Sequence, residues 1–320
     1  MLLFISANNH YNSNKNVINY YLFYLQQELL YFCPMRDSEN ELSGFYNNIK
    51  QNRPLIMGIL NVTPDSFSDG GKYFSVDSAV AKAIDMSGTG ADIIDIGGES
   101  TRPGAEAVQV DEELKRVIPV IEKILDYKPE TIISVDTTKA EVAKEALKRG
   151  AAIINDISGL TVEPKIINVV AEFDASVVIM HMKGNPRTMQ ENPEYGNATD
   201  EIFEYLMSSA KKAENAGIKK IIIDPGIGFG KKVQHNYELL KNLNKFTGSG
   251  YPLLIGLSRK SFLGKALGLP TGERDNATVI AETISLINGA DIIRTHNVKN
   301  AVEMKKIFNL IQNPDSVINV

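Results

Sequence analysis

Residues 90–98 read GADIIDIGG, and this stretch contains the unit from which most of the chain is built. A Gly-Ala-Asp turn leads into the short apolar run Asp92–Ile96, and polar residues follow at once. The same turn returns at Gly289–Asp291, before the run Asp291–Arg294. A glycine directly before a short apolar run is typical of a helix that ends where a strand begins. The stretch therefore predicts alternating helices and parallel strands.

Short apolar runs alternate with longer amphipathic ones from Leu55 onward. The predicted strands are Leu55–Asn61, Asp92–Ile96, Thr131–Asp136, Ala152–Asn155, Ser176–His181, Lys220–Asp224, Leu253–Gly256 and Asp291–Arg294. The predicted helices include Ser78–Ser87, Asp111–Leu125, Lys139–Arg149, Asp200–Asn215, Arg274–Ile287 and Lys299–Leu310. Between a predicted helix and the next strand stand Gly90, Gly150, Gly217 and Gly289.

Eight strands with helical returns can close into a barrel or lie in a doubly wound sheet. No predicted strand is followed by the Gly-x-Gly-x-x-Gly of a dinucleotide site. The glycine-rich stretch Gly226–Lys231 (GIGFGK) fits neither that spacing nor the spacing of a nucleotide phosphate loop. The sequence therefore predicts an α/β protein, a (β/α)8 TIM barrel in a single domain, which a chain of 320 residues accommodates.

Composition limits the class of partner and the compartment. The net charge of -5 argues against a nucleic-acid partner, because such proteins usually carry a basic excess. The single cysteine, Cys33, excludes a disulfide framework and is typical of a reducing compartment. The chain shows neither a secretory signal nor the run of about eighteen apolar residues that a membrane span needs. We therefore expect a cytoplasmic protein with no membrane partner.

The first residues differ in composition from the rest. They are rich in Asn and Tyr, and this bias stops near Met35. We expect residues 1–50 to be an N-terminal extension, either partly disordered or lying upstream of a true start at Met35, and residues 51–315 to form the barrel. A folded N-terminal element that packs on the barrel is the alternative.

Every predicted strand ends in polar residues or glycine. The carboxyl ends carry Asn61, Gly97–Arg102, Asp136, Asn155-Asp156, His181, Asp224, Gly256–Lys260 and Arg294–His296. A single Asp, Asn or Ser after a strand is most often a turn former or helix cap, and Asp156 and Ser158 are candidates for that role. In a barrel, however, all eight ends meet at one mouth, where active sites are built.

The mouth combines cations with amides and carboxylates. Lys260, Arg294 and His296 predict an anion site, since barrels often bind phosphate beside strands seven and eight. The side chains of Asp136, Asn155 and Asp224 can hydrogen-bond the edge of a flat, nitrogen-rich heterocycle. Near a diphosphate, Asn61 can complete the coordination of Mg²⁺.

Two long loops follow the first two strands. Residues 63–71 and 100–104 are rich in Gly, Pro and Ser, and they carry Phe67 and Arg102. Such loops are often lids that exclude water, and a mobile surface loop is the alternative.

Several of these motifs are long and unusual. They are Asn61–Gly71 (NVTPDSFSDGG), Gly97–Gly104 (GGESTRPG), Val135–Thr137, Asn155-Asp156, Met180–Pro186 (MHMKGNP), Asp224–Lys231 (DPGIGFGK), Ser258–Phe262 (SRKSF) and Arg294–His296 (RTH). In these motifs the chain resembles the dihydropteroate synthase family of pterin-binding enzymes, from about Leu55 to Leu310.

The resemblance implies a role for each matching position. The pterin pocket would hold Asp136, Asn155, Asp224 and Lys260. The diphosphate and Mg²⁺ site would hold Asn61, Thr101, Arg294 and His296, with Asn61 as the metal ligand. The p-aminobenzoate wall, where sulfonamides compete, would hold Phe67, Arg102, Pro103, Phe229, Ser258 and Lys260, and Met180 and Gly256 also belong to the implied substrate-binding set.

The implied reaction joins a pterin diphosphate to p-aminobenzoate in folate biosynthesis. Arg294 and His296 would stabilise the departing diphosphate, with Mg²⁺ as cofactor, and Asp136 would stabilise the pterin-methyl cation. Asp136, Lys260, Arg294 and His296 are thus the expected catalytic residues, whereas His181 is expected to be structural. The family also implies a homodimer. Two alternatives stay open: a methyltetrahydrofolate–corrinoid methyltransferase and a non-catalytic pterin-binding barrel.

Overall fold

The computed structural model describes residues 38–63, 75–100, 105–185 and 188–317. The chain divides into two compact units, residues 1–44 and residues 45–320. The second unit contains all eight strands. The predictions for residues 1–37, including the start at Met35, lie outside the described residues, and the extension over residues 1–50 stays a prediction.

Eight parallel strands form one sheet that curls into a barrel. The strands are β1 (Leu55–Asn61), β2 (Ile93–Gly97), β3 (Ile132–Asp136), β4 (Ile153–Asp156), β5 (Ser176–Met180), β6 (Lys220–Asp224), β7 (Leu254–Gly256) and β8 (Ile292–Thr295). Their order is β6-β5-β4-β3-β2-β1-β8-β7, and a parallel bridge between Ile223 and Leu253 joins the two ends of the sheet. The predicted (β/α)8 barrel is confirmed, and each strand boundary lies within one residue of the prediction.

One described helix precedes the first strand, and the others follow the strands and surround the barrel. The α-helices are α1 (Ser38–Gln51), α2 (Val76–Thr89), α3 (Val110–Tyr127), α4 (Ala140–Lys148), α5 (Lys165–Glu172), α6 (Ala198–Asn215), α7 (Val233–Lys241), α8 (Leu243–Thr247), α9 (Ser261–Leu267), α10 (Asp275–Ile287) and α11 (Val298–Gln312). Short 3-10 turns cover Thr271–Glu273 and Pro314–Val317. None of the described helices is long and apolar enough to cross a membrane.

The predicted glycine junctions are confirmed. The φ angles of Gly90, Gly150, Gly217 and Gly289 are 114°, 98°, 92° and 101°, values that L-residues with a side chain rarely adopt. At Gly90 the backbone N–H also bonds the carbonyls of Met86 and Ser87, which closes α2. These glycines therefore turn the chain from a helix into the next strand.

Alternation along the strands separates two apolar cores. One set of strand residues packs outward against the helices, as Ile94 and Ile96 do in β2. The other set fills the lower barrel with Met57, Ile93, Ile153, Val178, Ile222, Leu254 and Ile292, all buried. Ile49 of α1 is buried in the same inner layer, and Phe45 packs against it. The amino-terminal end of the barrel is thus a packed hydrophobic layer.

Candidate active site

The same alternation determines which residues reach the mouth. In a strand, residues two apart share a face, so the inner layer of apolar residues continues upward into a layer that is mostly polar side chains and glycine. At the carboxyl ends this layer contains Asn61, Gly97, Asp136, Asn155, Met180, Asp224, Gly256 and Arg294. The structure therefore brings these eight strand-end residues to one end of the barrel.

Arg294 is the centre of one half of the site. Its Nε donates to Asp95 Oδ2 at 2.6 Å, and its Nη2 donates to Asp136 Oδ2 at 2.7 Å. Asn155 Nδ2 donates to the same oxygen of Asp95 at 3.1 Å. One guanidinium thus links β2, β3 and β8, and the carboxamide adds β4.

Burial dominates the electrostatics of this half. It raises the pKa of Asp136 to about 7, against the opposing effect of Arg294 and with the help of Asp95, Glu113 and Asp156. Burial lowers the pKa of Arg294, but Asp95, Asp136 and Asp224 together raise it above its ordinary value, so the guanidinium stays charged. Asp136 therefore changes its charge near neutral pH.

Asp95 is a site residue that the sequence prediction missed. It lies within β2, two residues before Gly97, and its side chain is fully buried. Its Oδ2 accepts from both Arg294 and Asn155, while its Oδ1 has no hydrogen-bond partner within the described part of the chain. The available signal was an acidic residue inside an otherwise apolar strand, since buried carboxylates are rare unless they are paired.

Asp224 and Lys260 form the other half. Asp224 Oδ1 accepts from the backbone N–H of Gly226 at 2.7 Å. Burial raises the pKa of Asp224, and Lys260 opposes that shift most strongly. Burial also lowers the pKa of Lys260 to about 8, although Asp224 favours its charged form. Each of the two side chains thus favours the charged form of the other.

The loop after β6 shapes the surroundings of Lys260. Its Nζ donates to the carbonyl of Ile227 and lies 4.7 Å from the ring centroid of Phe229, a cation–π distance. Gly228 has φ +87°, and a β-carbon there would lie 2.9 Å from Lys260 Cδ. The positive φ favours glycine at this position, and a β-carbon there would displace the Lys260 side chain.

His296 is held by Ser258. The Oγ of Ser258 lies 2.9 Å from His296 Nδ1 and accepts from the backbone N–H of His296 at 3.1 Å. The structure thus places Ser258, which was predicted for the p-aminobenzoate wall, beside the predicted diphosphate residue His296.

Beneath the Asp224–Phe229 loop lies a buried lysine. Lys231 Nζ donates to the carbonyls of Gly226 at 2.8 Å, Phe229 at 2.9 Å and His181 at 3.2 Å, and it lies 3.0 Å from His181 Nδ1. Burial and the neighbouring Lys231 lower the pKa of His181, which keeps its ring neutral. His181 therefore belongs to the support of this loop, in agreement with the predicted structural role.

Asn61 lies beside Asp136 at the end of β1. A β-carbon built on Gly97 would lie 3.7 Å from Asn61 Oδ1 and 3.9 Å from Asp136 Oδ2, so both oxygens approach the same glycine. Within the described ranges no group of three or more His, Cys, Asp or Glu side chains is arranged to hold a metal.

Four predicted site residues, Phe67, Thr101, Arg102 and Pro103, lie outside the described residues. The base of the second loop is described. Glu99 accepts from the backbone N–H of Val108 at 3.1 Å and from Lys139, which also bonds the buried Glu113.

Comparison with known proteins identifies the family. Residues 57–296 match the model of the pterin binding enzyme family. The dihydropteroate synthase of Escherichia coli K12 is 50% identical over 256 residues, which cover 79% of this chain and 90% of that protein. The chain belongs to the dihydropteroate synthase family.

Solved structures of dihydropteroate synthases support the same assignment. The enzyme of Xanthomonas albilineans with 4-aminobenzoic acid matches with a TM-score of 0.77 and 42% identity, covering 82% of this chain and 94% of that one. The enzyme of Yersinia pestis with a sulfonamide drug matches with a TM-score of 0.77 and 44% identity, covering 81% and 94%. The predicted family is confirmed, and these relatives favour the synthase over the corrinoid methyltransferase.

Proposed function

We propose that this protein condenses 6-hydroxymethyl-7,8-dihydropterin diphosphate with p-aminobenzoate, giving 7,8-dihydropteroate and diphosphate in folate biosynthesis. The observation that carries the proposal is the set of charged side chains at the mouth of the barrel. Three carboxylates, the buried Asp95 and Asp224 and the part-buried Asp136, share the mouth with two part-buried cations, Lys260 and Arg294, at the end of a barrel of the dihydropteroate synthase family.

The pterin ring is the part of the substrate that suits the polar floor. Its amino-pyrimidine edge presents N–H donors and nitrogen and oxygen acceptors side by side. Asp224 supplies carboxylate oxygens, Asn155 supplies an amide, and Lys260 supplies N–H donors. These three side chains would recognise the ring by its edge.

Bond breaking transfers charge to the diphosphate. The C–O bond breaks and its electron pair leaves with the diphosphate oxygen, so donors that face this oxygen stabilise the transition state. Arg294 and His296 would supply such donors. The methylene carbon left behind is electron-deficient, and the ionised carboxylate of Asp136 would stabilise it.

The residues present fit a magnesium ion that arrives with the diphosphate. Mg²⁺ commonly binds one or two protein oxygens together with substrate phosphates, so a dedicated cluster of protein ligands is not required. Asn61 Oδ1, beside Asp136, would be the protein oxygen for it. When bound, the ion would supply positive charge against the diphosphate.

The p-aminobenzoate ring would lie near Phe229, Lys260 and Ser258. A pocket of about 390 Å³ lies beside Gly228 and is lined in part by Ser261, Lys232 and Lys265, groups suited to a carboxylate. The aromatic amine holds a free lone pair at neutral pH, so it attacks the methylene carbon and then loses a proton to water. No strong general base is needed.

The decisive experiment is an assay of the full chain with pterin diphosphate, p-aminobenzoate and Mg²⁺. We expect dihydropteroate and diphosphate in equal amounts, and competition between p-aminobenzoate and a sulfonamide. Folded protein that binds pterin but releases no diphosphate would overturn the proposal. The variant Lys220→Met, changed at the opposite end of the barrel, serves as the matched active control.

A homodimer is part of the proposal. Isoleucines are exposed along α10 and α11, where Ile287 is 69% and Ile311 is 70% accessible, and they flank a groove of about 490 Å³ lined by Ile287, Ile307 and Ile311. Contiguous exposed apolar surface of this kind marks interaction sites, and a second copy would cover it. In sedimentation, Ile284→Glu should give a monomer, whereas Val162→Glu, at an exposed valine elsewhere, should leave the dimer intact.

A cytoplasmic location is also proposed, on the basis of the single cysteine in the sequence. Cell fractionation that finds the enzyme in a membrane or secreted fraction would contradict it.

A further inference from the structure

Arg259 has an unusual backbone conformation between two site residues. Its φ is +55°, and it stands between Ser258 and Lys260. Of the described non-glycine residues, Leu160, Asp174, Asn192 and Arg259 have positive φ. Asp and Asn tolerate this region, but a long side chain rarely adopts it unless the surroundings impose it.

Arg259 is held by hydrogen bonds from both its backbone and its side chain. Its backbone N–H donates to Thr278 Oγ1 at 3.1 Å, and its carbonyl accepts from Arg274 Nη1 at 3.0 Å. Its guanidinium forms two parallel bonds to Asp275, from Nε at 2.6 Å and from Nη2 at 2.9 Å. A two-bond arginine–carboxylate pair fixes orientation as well as distance. The strained backbone is therefore fastened to the start of α10.

Asp275 also holds the neighbouring loop. Its Oδ2 accepts from Asn297 Nδ2 at 3.1 Å, and Asn297 directly follows His296. A single carboxylate thus connects the loop after β7, which carries Ser258 and Lys260, with the loop after β8, which carries His296. The bond between Ser258 Oγ and His296 Nδ1 at 2.9 Å connects the same two loops, one residue earlier in each.

We propose that Arg259 and Asp275 are positioning residues for the reaction, which set the relative placement of Lys260 and His296. This inference rests on the proposed function. The left-handed residue turns the chain so that Ser258 bonds His296 while Lys260 bonds the carbonyl of Ile227 on the other side. The pair with Asp275 maintains that turn and links it to Asn297.

If the Arg259–Asp275 pair contributed only to stability, its loss would lower the unfolding temperature and leave turnover unchanged. The side chains of Arg259 and Asp275 are 41% and 28% accessible, and ion pairs so near the surface contribute little to stability. Misplacing a reacting group by about 1 Å can lower a rate on the order of 100-fold. Loss of the pair should therefore affect turnover far more than the unfolding temperature.

The chain offers a matched control. Asp174 also has positive φ, at +47°, and its carboxylate pairs with Lys220 Nζ at 2.7 Å. Lys220 is the first residue of β6, so this pair lies at the end of the barrel opposite the mouth. Lys220→Ala removes an ion pair from a left-handed residue without involving the site.

The experiment compares Arg259→Ala, Asp275→Ala, the double variant, Arg259→Gly and Lys220→Ala in the full chain. Turnover is measured with both substrates, and calorimetry follows the binding of 6-hydroxymethylpterin, which needs no turnover. Each single alanine variant should lower kcat by about 10- to 100-fold with a smaller change in the KM for p-aminobenzoate, and it should weaken pterin binding. Because both residues act through one contact, the double variant should be no worse than the poorer single variant.

Arg259→Gly should retain more activity than Arg259→Ala, because glycine adopts positive φ without strain. The control should keep kcat within about twofold of the wild type, with a similar unfolding temperature. Additive losses in the double variant would overturn the inference, as would single alanine variants that match the wild type in kcat and pterin binding. If the wild type formed no dihydropteroate, the proposed function would fail. The positioning of Lys260 by Arg259 and Asp275 would then be tested by pterin binding, which the alanine variants should weaken.

Discussion

The two ends of the barrel are built from the same eight strands, but their inner residues have opposite character. At the amino-terminal end the inner layer is apolar, with Met57, Ile222 and Ile292 in one cluster with Ile49. At the carboxyl end the same faces carry Asp136 and Arg294, which are hydrogen-bonded to each other, and Asp224, which adds to the field at Arg294. The two layers are separated by a step of only two residues along several strands, such as Ile222 to Asp224.

The contrast shows how the molecule divides its tasks. Apolar packing at the lower end stabilises the fold, and this stability allows buried charges to persist at the upper end, where burial disfavours them. Substitutions at the lower end should therefore change the free energy of unfolding, whereas equivalent substitutions at the mouth should change turnover.

The largest effect is expected for Asp136→Asn. This change keeps the size of the side chain but removes the negative charge that would stabilise the pterin-methyl cation. Turnover should fall by about 100- to 1,000-fold, the range seen when one preorganised electrostatic group is removed, while pterin still binds. Steady-state kinetics and calorimetric titration with pterin measure the two quantities.

The control is a buried aspartate at the other end. Asp291 accepts from the backbone N–H of Leu253 at 2.9 Å and is largely buried, yet it lies at the start of β8. Asp291→Asn should keep turnover within about threefold and lower the free energy of unfolding by about 1 kcal/mol. Unchanged turnover in Asp136→Asn would remove that residue from the chemistry.

The next effect concerns the lower layer. Ile222→Ala deletes most of a buried side chain and leaves a cavity, so the free energy of unfolding should fall by roughly 2–5 kcal/mol. Turnover of the folded fraction should stay within about threefold of the wild type. Denaturant titration and kinetics at low temperature test this pair of outcomes, and a loss of turnover without loss of stability would contradict the division of tasks.

A pH profile sharpens the comparison at the mouth. The pKa of Asp136 is raised to about 7, so kcat/KM should rise as pH passes through 7 and this carboxyl ionises. The pKa of Lys260 is lowered to about 8, so kcat/KM should fall above pH 8 as the ammonium loses its proton. In Asp136→Asn the rise of kcat/KM near pH 7 should vanish. If it persists, the ionisation of another group causes it.

The smallest effect is expected at the lower rim. Lys305 Nζ pairs with Asp92 Oδ2 at 2.9 Å, in a partly exposed position. Lys305→Met should change the free energy of unfolding by less than about 1 kcal/mol and leave kcat unaltered. A larger change in either quantity would show that charge matters at the lower end as well.

The strands and the strand-end residues were predictable because their signals are local. A short apolar run that ends in polar residues marks both a strand and its end, so Asp136, Asn155 and Asp224 were found by position alone. The prediction of Asp156 and Ser158 as loop caps was also confirmed. The carboxylate of Asp156 accepts from the backbone N–H groups of Ser158 at 2.7 Å and Leu160 at 3.0 Å, and Ser158 Oγ accepts from that of Thr161 at 3.3 Å.

The partners of these residues were not predictable, because they depend on contacts across the barrel. Asp95 lies 199 positions from Arg294, and it sits inside a run that otherwise reads as an ordinary apolar strand. Lys231 belongs to a stretch that resembles a phosphate loop, yet its own Nζ donates to the carbonyls of that loop. Which charge is paired internally and which is offered to a ligand follows only from the folded arrangement.

The lateral bonding of the barrel is uneven. β1 and β2 pair over five residues, whereas within the described strands β6 and β7 meet through the Ile223–Leu253 bridge. Mechanically, the barrel is a rolled sheet with a seam, and Asp224 and Gly256 end the two strands that border it. A pterin ring held between Asp224 and Lys260 would connect β6 with the loop after β7 across this seam. Amide exchange in β6 and β7 should then slow on pterin binding more than exchange in β1 and β2.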